Sequence, residues 1–293
     1  MMRGLRWWAA GLGAACLAST AAHAYTAAGD RQFPASLLLP QIAPSDEAYS
    51  TGSTLPTAGG RQSNLGLIYS KTLTERFGVE IEDGYNWVDQ NGGPTRYGFQ
   101  NVEVTLRYLA VIDREHEFLL TVGVDNEIGG TGDRRIAGST GATIPQVYFG
   151  KGMGDFDIGY LRPLALTGVV GYAASHGGTR PDVLQAGLGV QYSLPYLQSK
   201  VESLDLPDLL RNVSLTIEYL YQTPTTPSHG QSTTGIVAPG FNYAGGGGAW
   251  ELGVEALVPT THAAGNGVGL IAHLHVAFDF LYPETFGTPL FGD

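Results

Sequence analysis

The sequence predicts an all-β protein, an up-and-down antiparallel transmembrane β-barrel of about 12 strands. Apolar and polar side chains alternate with a period of two in segment after segment, and many of these segments are long enough to cross a membrane. In the segment at 97–112, Val104, Leu106 and Tyr108 alternate with Thr105 and Arg107. Neighbouring strand residues point to opposite faces, so this pattern gives one apolar and one polar face. A soluble sandwich can share the pattern, but the strand lengths and the export signal described next favour a barrel.

Residues 1–24 are predicted to be a signal peptide. Arg3 and Arg6 supply the positive start, 7–17 the apolar middle, and Ala22-His23-Ala24 an A-x-A cleavage site. A membrane-anchoring helix is disfavoured, because the apolar stretch is shorter than the roughly 20 residues that span a bilayer. We therefore expect export, with cleavage after Ala24, to the outer membrane of a Gram-negative cell.

Cysteine usage and charge exclude several classes of function. Cys16 is the only cysteine, and lipid attachment there is a weaker alternative because Gly13 stands where such sites usually carry leucine. After cleavage the chain has no cysteine, hence no disulfide or thiol chemistry. Without Arg3 and Arg6 it carries 14 Lys and Arg against 27 Asp and Glu, a net charge of −13. Nucleic acid is therefore not an expected partner.

The predicted strands number eleven, and a bacterial barrel closes with an even number, both chain ends being periplasmic. A twelfth strand is therefore expected within 33–58, where four prolines favour a short strand plus an inserted or loose arm; an internal plug is the alternative. The segments are 62–71, 77–88, 96–111, 116–127, 144–151, 156–172, 183–194, 212–222, 234–244, 249–259 and 267–281. The predicted organisation is signal peptide 1–24, arm with first strand or plug 25–60, barrel 61–283 and periplasmic tail 284–293.

Counting the strands back from the C-terminus, which is expected to be periplasmic, assigns each connection to one side of the membrane. Most periplasmic ones are predicted to be short and most outward ones longer, as outer-membrane barrels prefer. The exception is 195–211, where a short helix within 196–210 is expected against the periplasmic rim.

The faces opposite the apolar ones are predicted to line the interior. They carry seven acids and one arginine, and carboxylates cannot stay unpaired in a dry interior. The charged members are Glu80, Glu82, Glu103, Arg107, Glu218, Glu251, Glu255 and Asp279. A narrow wet pore with weak cation preference is one interpretation; polar networks that select nothing are the other.

Other chemistry receives less support. His273 and His275 lie two apart and could share a metal with Glu251 or Glu255, but polar lumen lining is favoured, and we expect neither a metal nor a cofactor. Ser175-His176 and His116 do not form the Ser/His pair of a lipid hydrolase, so we expect no enzyme.

Two further kinds of binding site, for nucleotide phosphates and for lipopolysaccharide, have little support in the sequence. The glycine-rich runs at 129–133 and 150–155 lack phosphate-loop spacing. Asp133-Arg134-Arg135, in an outward loop, could contact lipopolysaccharide phosphates, although solvated loop charge is favoured.

Several phrases resemble the outer-membrane barrel family named for the meta-pathway of phenol degradation, whose members are described as transporters. They are TERFGVEIEDGY (74–85), EFLLTVGVDNEIGGTGD (117–133), GKGMGDFDIGYLRPLA (150–165), IVAPGFNYA (236–244) and ELGVEALVPTT (251–261). The resemblance spans roughly 60 to 290 and implies transport of small, often aromatic compounds, without catalytic residues.

Two functions remain open at this point. The first is a channel for passive passage of small solutes, hydrophobic or aromatic compounds among them; the second is a closed structural or interaction barrel. Lateral uptake through the wall at Arg162-Pro163 is a third route. Membrane lipid and lipopolysaccharide are expected partners, and the sequence does not determine the oligomeric state.

Overall fold

Antiparallel strands at twelve positions around the wall form a closed barrel. The structure is a computed structural model that describes residues 26–177, 180–226 and 231–291. The predicted signal peptide, its cleavage site and Cys16 lie outside these residues. Thirteen strands, β3 to β15, form the sheet, and β6 and β7 lie one after the other along β5, which makes twelve positions. They are β3 (Glu47–Thr57), β4 (Gly60–Thr72), β5 (Phe77–Gln90), β6 (Arg96–Phe99), β7 (Glu103–Asp113), β8 (Phe118–Glu127), β9 (Ala142–Gly152), β10 (Leu164–Ser175), β11 (Val183–Ser193), β12 (Val213–Pro224), β13 (Thr234–Gly245), β14 (Trp250–Pro259) and β15 (Gly269–Ala277).

The seam between the first and last strands closes the sheet. β3 pairs with β15 from Glu47 opposite Ala277 to Thr54 opposite Leu270, and with β4 on its other side. A closed sheet has no unpaired edge, so its backbone groups are satisfied within the wall, as hydrocarbon surroundings require. The predicted fold class and strand number are confirmed, and the twelfth strand is β3.

Side chains alternate between the two sides of the wall. In β12, Leu215 and Ile217 are half exposed on the outside, whereas Thr216 and Glu218 are buried inside. The pattern HLH in β15 repeats this arrangement, with Leu274 outside between His273 and His275. A register shift between Leu109 and Val111 interrupts the alternation in β7. In β12 and β15, the alternation of polar and apolar residues in the sequence therefore matches the alternation of buried and exposed side chains.

The N-terminal segment enters the barrel. β1 (Thr26–Ala28) and β2 (Arg31–Phe33) form a small hairpin. The segment that follows, 34–46, has no regular sheet pairing and runs inside the wall; we call it the arm. Phe33 and Ile42 pack with Leu119, Tyr148 and Val169 in one apolar cluster.

The barrel wall makes room for the arm through small residues. A side chain on Gly150 would come within 2.7 Å of Ile42, and one on Gly187 within 2.4 Å of Leu39. These two glycines therefore let the arm approach the strands closely.

Two predicted strand boundaries are wrong. Residues 156–163 of the predicted strand 156–172 form a loop with a 3₁₀ turn at Gly159–Leu161, and β10 begins at Leu164. The predicted strand 267–281 ends at Ala277, because the Phe278 N–H bonds to the Asp46 carbonyl (2.8 Å) and the chain turns into a helix. The predicted strand 96–111 is also interrupted, at 100–102.

Helical segments are short and lie near the end that holds the start of β3 and the end of β15. The sequence predicts that this end is periplasmic, and we call it the periplasmic end. They are α1 (Leu194–Tyr196), a π-helical turn (Leu197–Val201), α2 (Asp208–Arg211) and α3 (Phe278–Leu281). The helix predicted within 196–210 is thus replaced by separate pieces, with 202–207 non-helical and Pro207 directly before α2. Among the described residues, no helix has the length and apolar character needed to cross a membrane.

Candidate functional site

The interior contains a cavity that we call the vestibule. Its volume is about 760 Å³, within the usual range for small-molecule sites. The lining extends from Arg180 and Gln231 in the outward loops to the arm at Ser36–Pro40. The arm therefore forms the floor of the vestibule.

Acidic side chains from three neighbouring strands form one wall of the vestibule. Glu82 of β5, Glu103 of β7 and Glu127 of β8 lie opposite one another in the sheet register. Glu80 and Asp125 flank Thr105 in the next inward-facing row. All five carboxyls line the vestibule, because positions two apart share a face.

Two arginines face this wall, and each forms an ion pair with one carboxylate. Arg107 binds Glu80 through both terminal nitrogens, at 2.7 and 2.9 Å, and both side chains are buried. Ser70 donates a further bond to Glu80 (2.7 Å). Arg180 bonds to Glu127 near the outward rim. In the described part of the chain, neither arginine forms an ion pair with Glu82, Glu103 or Asp125.

Two predicted lumenal glutamates hold the arm. Glu218 Oε2 accepts the Leu38 and Leu39 N–H groups at 2.7 and 3.2 Å, and Glu251 Oε2 accepts that of Ala35 at 3.0 Å. Asn242 donates to the Ala35 carbonyl (3.0 Å). These bonds supply partners for backbone groups that have no strand partner, which a buried segment requires.

Buried ion pairs hold the hairpin that precedes the arm and the last residue of the arm. Arg31 Nε lies 3.1 Å from Glu117 Oε2, and its guanidinium stacks 3.9 Å from the Tyr196 ring centroid. At the other end, Lys71 Nζ lies 2.7 Å from Asp46 Oδ1. Removing one partner of a buried pair leaves an uncompensated charge, so both ends resist displacement.

The remaining predicted residues lie lower in the barrel. Glu255 is buried and accepts the Thr216 hydroxyl (2.8 Å), and His275 Nε2 lies 2.7 Å from Glu47 Oε2. His273 is buried, with its ring centroid 6.5 Å from that of His275. Among the described residues, no group of three or more His, Cys, Asp or Glu side chains is placed to hold a metal ion.

Asp279 lies in α3 and not on a strand of the wall, which corrects its predicted position. It lines a second cavity of about 440 Å³, the lower pocket, together with Ala43–Glu47 of the arm and first strand. Burial, together with the negative charges of Glu47 and Asp46, raises the pKa of Asp279 to about 7. No described residue lines both cavities, so the arm separates them.

The rival chemical sites lie elsewhere. His176 Nε2 lies 2.8 Å from Thr143 Oγ1, whereas the Ser175 hydroxyl bonds to the Gly177 carbonyl, so the two side chains do not form a catalytic pair. His116 bonds to Asp113 (2.9 Å) at a periplasmic turn, and this contact raises the pKa of His116.

The proposed lateral opening at Arg162-Pro163 is wrong. Pro163 precedes β10 and therefore interrupts no pairing in the wall. It is buried, and its carbonyl accepts a bond from Arg31 (3.1 Å).

Sequence reasoning missed several lining residues, and Asp125, Gln146 and Arg180 are three of them. Asp125 lies four residues after the buried Thr121 and therefore on the same inward face of β8. Extending the alternation through β8 could have found it. Gln146 and Arg180 carry no such signal, because Gln146 lies in a short predicted strand and Arg180 in a loop.

Comparisons with known proteins support the fold. No family model matches the chain, and no curated protein matches its sequence. The COG4313 outer membrane channel from Pseudomonas putida F1 is 13% identical, with a TM-score of 0.55 over 84% of this chain and 99% of that one. KdgM porin in complex with disordered oligogalacturonate is 12% identical (TM-score 0.51; 79% and 99%), and NanC porin is 10% identical (TM-score 0.51; 78% and 98%). The chain thus shares the barrel fold of these outer-membrane proteins, and the resemblance to the phenol-pathway family stays a prediction.

Proposed function

We propose that this protein is an outer-membrane channel for passive passage of small solutes, seen here with its path closed by the arm. The observation that carries this proposal is the position of the arm between the vestibule and the lower pocket. The arm is held by side chains and not by continuous sheet pairing. Such a segment can move while the wall stays intact, since no ladder of strand bonds has to break.

The lining suggests which solutes fit. Carboxylates and amides dominate the wall, whereas Leu37–Leu39, Ile68 and Val169 make part of the lining apolar. We infer that the vestibule favours molecules with a polar or positive group and an apolar body. The phenol-pathway resemblance implies small, often aromatic compounds, and those among them without a polar group would leave the buried carboxylates without partners.

The environment of the outer wall follows from the same proposal. Half-exposed leucines and isoleucines such as Leu188, Leu215 and Ile217 would contact lipid acyl chains. In the outward loop, Arg135 is paired with Asp133 (3.1 Å). This leaves Arg134 as the candidate contact for a lipopolysaccharide phosphate.

Planar-bilayer recording tests the channel. Residues 35–43 are replaced by a Gly/Ser segment of equal length, which keeps β3 and the Asp46–Lys71 pair. We expect low, intermittent conductance from the wild type and clearly higher conductance from the variant. A reversal potential in a KCl gradient should show cation preference in both, because unpaired carboxylates outnumber cations along the vestibule.

The closed structural barrel is the alternative, favoured by the many bonds that hold the arm. If neither protein conducts, although circular dichroism and heat-dependent gel migration show folded barrels, the channel is rejected in favour of this alternative. Anion preference would reject the assigned role of the carboxylates.

A further inference from the structure

One wall of the vestibule is rich in hydrogen-bond acceptors that form no ion pair with any residue the structure describes. It comprises Glu82, Glu103 and Asp125, and next to them Gln146 of β9, all of which line the vestibule. We call these four residues the acceptor wall. The nearest cation, Arg107, already forms two bonds with Glu80.

Gln146 provides an independent indication of a ligand. Its side chain is 7% exposed, and within the described residues its Oε1 atom has no hydrogen-bond partner. A buried polar atom without a partner costs free energy, so native proteins rarely retain one without a function or a bound molecule. Gln146 lies opposite Gly123 in the register, one inward-facing row from Asp125. Its unsatisfied atom therefore belongs to the same part of the lining as the carboxyls.

Glu103 and Asp125 are diagonal neighbours on the inner side of the wall. In the register of β7 and β8, Glu103 lies opposite Glu127, and Thr105 lies opposite Asp125. Asp125 is only 6% exposed, and within the described residues its Oδ1 atom has no hydrogen-bond partner. Two ionised carboxylates placed in this way would repel each other in a site with little water, and either a shared proton or a bound cation would relieve the repulsion.

We propose that the acceptor wall binds an organic cation with several N–H donors, a primary ammonium or guanidinium solute, and that this cation replaces a proton which Glu103 and Asp125 share in the empty site. This inference rests on the proposed function only in that the solute must reach the vestibule from outside. The proton released on binding passes to the solvent.

The chemistry of the wall favours an organic cation over a metal ion. Calcium takes six to eight oxygen ligands at one point, whereas no such convergence exists among the described residues. A guanidinium group carries five donors in a plane and an ammonium three, so either can bridge acceptors spread over adjacent strands. An anion or a neutral hydrocarbon would find no matching group on this wall.

The binding should weaken in acid, because protons compete for the same oxygens. Other charged and titratable groups face the pair from β3, β5, β7, β8 and the outward loop, and no arm residue that lines the vestibule is charged. They are Tyr49, Glu80, Glu82, Arg107, Glu127 and Arg180. Arg107 and Arg180 are neutralised by Glu80 and Glu127, so the exchange of proton for cation is centred on the pair.

Isothermal titration calorimetry on the full chain in detergent micelles tests the site. Agmatine is the probe, and 1,4-butanediol is the neutral control. We expect saturable agmatine binding with one site, no butanediol binding, and release of up to one proton, measured by titrating in two buffers of different ionisation enthalpy. Affinity should fall between pH 8 and pH 5.

Three variants and a matched control locate the binding. Glu103→Gln with Asp125→Asn removes the charges, and should weaken agmatine binding at least tenfold and abolish proton release. Glu82→Gln and Gln146→Leu, each a single change, should weaken it severalfold. Glu115→Gln, which removes one charge at an exposed periplasmic turn, should leave binding unchanged.

The outcomes separate this inference from the channel proposal. Agmatine binding without conductance supports the site and rejects the channel. Conductance without agmatine binding overturns the site and leaves the channel. Binding that Glu115→Gln weakens as much as the double variant shows a non-specific effect of net charge, and also overturns the site.

Discussion

Single carboxylates inside this barrel differ in their partners, and this difference decides their roles. Glu80 is neutralised by Arg107, whereas Glu218 accepts hydrogen bonds from backbone N–H groups of the arm. Among the described residues, Glu82, Glu103 and Asp125 have neither type of partner. Alternation predicts that a carboxylate faces inward, but it does not predict whether that carboxylate binds the arm or stays open to the cavity.

Replacing Glu218 tests its role as a clamp. Glu218→Gln substitutes a neutral amide for a carboxylate that accepts two N–H bonds, which should weaken the attachment of the arm by about 1–2 kcal/mol. The open fraction in planar-bilayer recordings should rise about tenfold, with unchanged single-channel conductance. Glu115→Gln is the control, since Glu115 lies exposed at a turn and lines neither cavity. An open fraction equal to that of the control would remove Glu218 from the closing mechanism.

Asp279 is predicted to make stability depend on pH. Its ordinary pKa is 3.8 and burial raises this pKa to about 7, so the folded state holds the proton more tightly than the unfolded state. Folded-state stability is therefore lower above pH 7, where the buried carboxylate is ionised, and it rises as pH falls towards 4. Asp279→Asn should raise the melting temperature by roughly 5 °C at pH 8 and by roughly 2 °C at pH 5, where the ionised form is favoured only in the unfolded state. Equal shifts at both pH values would show that the charge of Asp279 is not responsible; Glu284→Gln, at an exposed position, is the control.

The arm is the element that distinguishes this barrel from an open pore, and its hairpin holds its first end. Arg31 contacts Glu117, the Pro163 carbonyl and the Tyr196 ring, and it is almost completely buried. Three periplasmic connections thus meet at one side chain. Loss of Arg31 should release the hairpin without disturbing the wall, because the strand bonds do not depend on it.

Hydrogen exchange measures this release. Arg31→Ala leaves Glu117 buried without its cation, a change that costs about 3–5 kcal/mol when such a pair is broken. Amide exchange in 27–46 should become at least a hundredfold faster, whereas exchange in β11 to β13 stays slow. Arg96→Ala, which alters an exposed side chain at the opposite end of the barrel, should change neither. Faster exchange throughout the wall would mean that Arg31 stabilises the barrel and not the arm alone.

Strands were predictable where burial depends on the wall alone. β11, β12 and β13 lie within two residues of their predicted bounds, because outward-facing side chains such as Leu188, Ile217 and Phe241 give each strand an exposed face. β10 and β15 were misplaced where remote partners intervene: Arg31 binds the carbonyls before β10, and the Asp46 carbonyl takes the Phe278 N–H. Phe278 and Phe280 continue the apolar alternation, so the sequence alone shows no end to the strand there.

The candidate site was predictable only in part, for a related reason. Glu80, Glu82 and Glu103 lie in long strands whose parity is clear. The arm carries no periodic pattern, since its residues contact the inside of the wall on several sides and its backbone is satisfied by side chains more than 150 residues away. Only the three-dimensional path of the chain shows which glutamates bind the arm.

At the scale of the whole molecule, the barrel is inverted relative to a soluble protein: polar groups fill its interior and apolar side chains cover its wall. Leu188 tests this arrangement, because it lies at the sixth of the eleven positions of β11 and points outward, 45% exposed. Leu188→Arg should destabilise the barrel by about 2–4 kcal/mol in a lipid bilayer, the cost of a cation at the midplane. Urea-dependent folding into vesicles, followed by tryptophan fluorescence, measures this difference. Leu290→Arg, on an equally apolar but periplasmic side chain, is the matched control and should cost less than about 1 kcal/mol. If Leu188→Arg costs no more than the control, the outer surface of β11 does not face the hydrocarbon core, and the transmembrane placement of the wall is wrong.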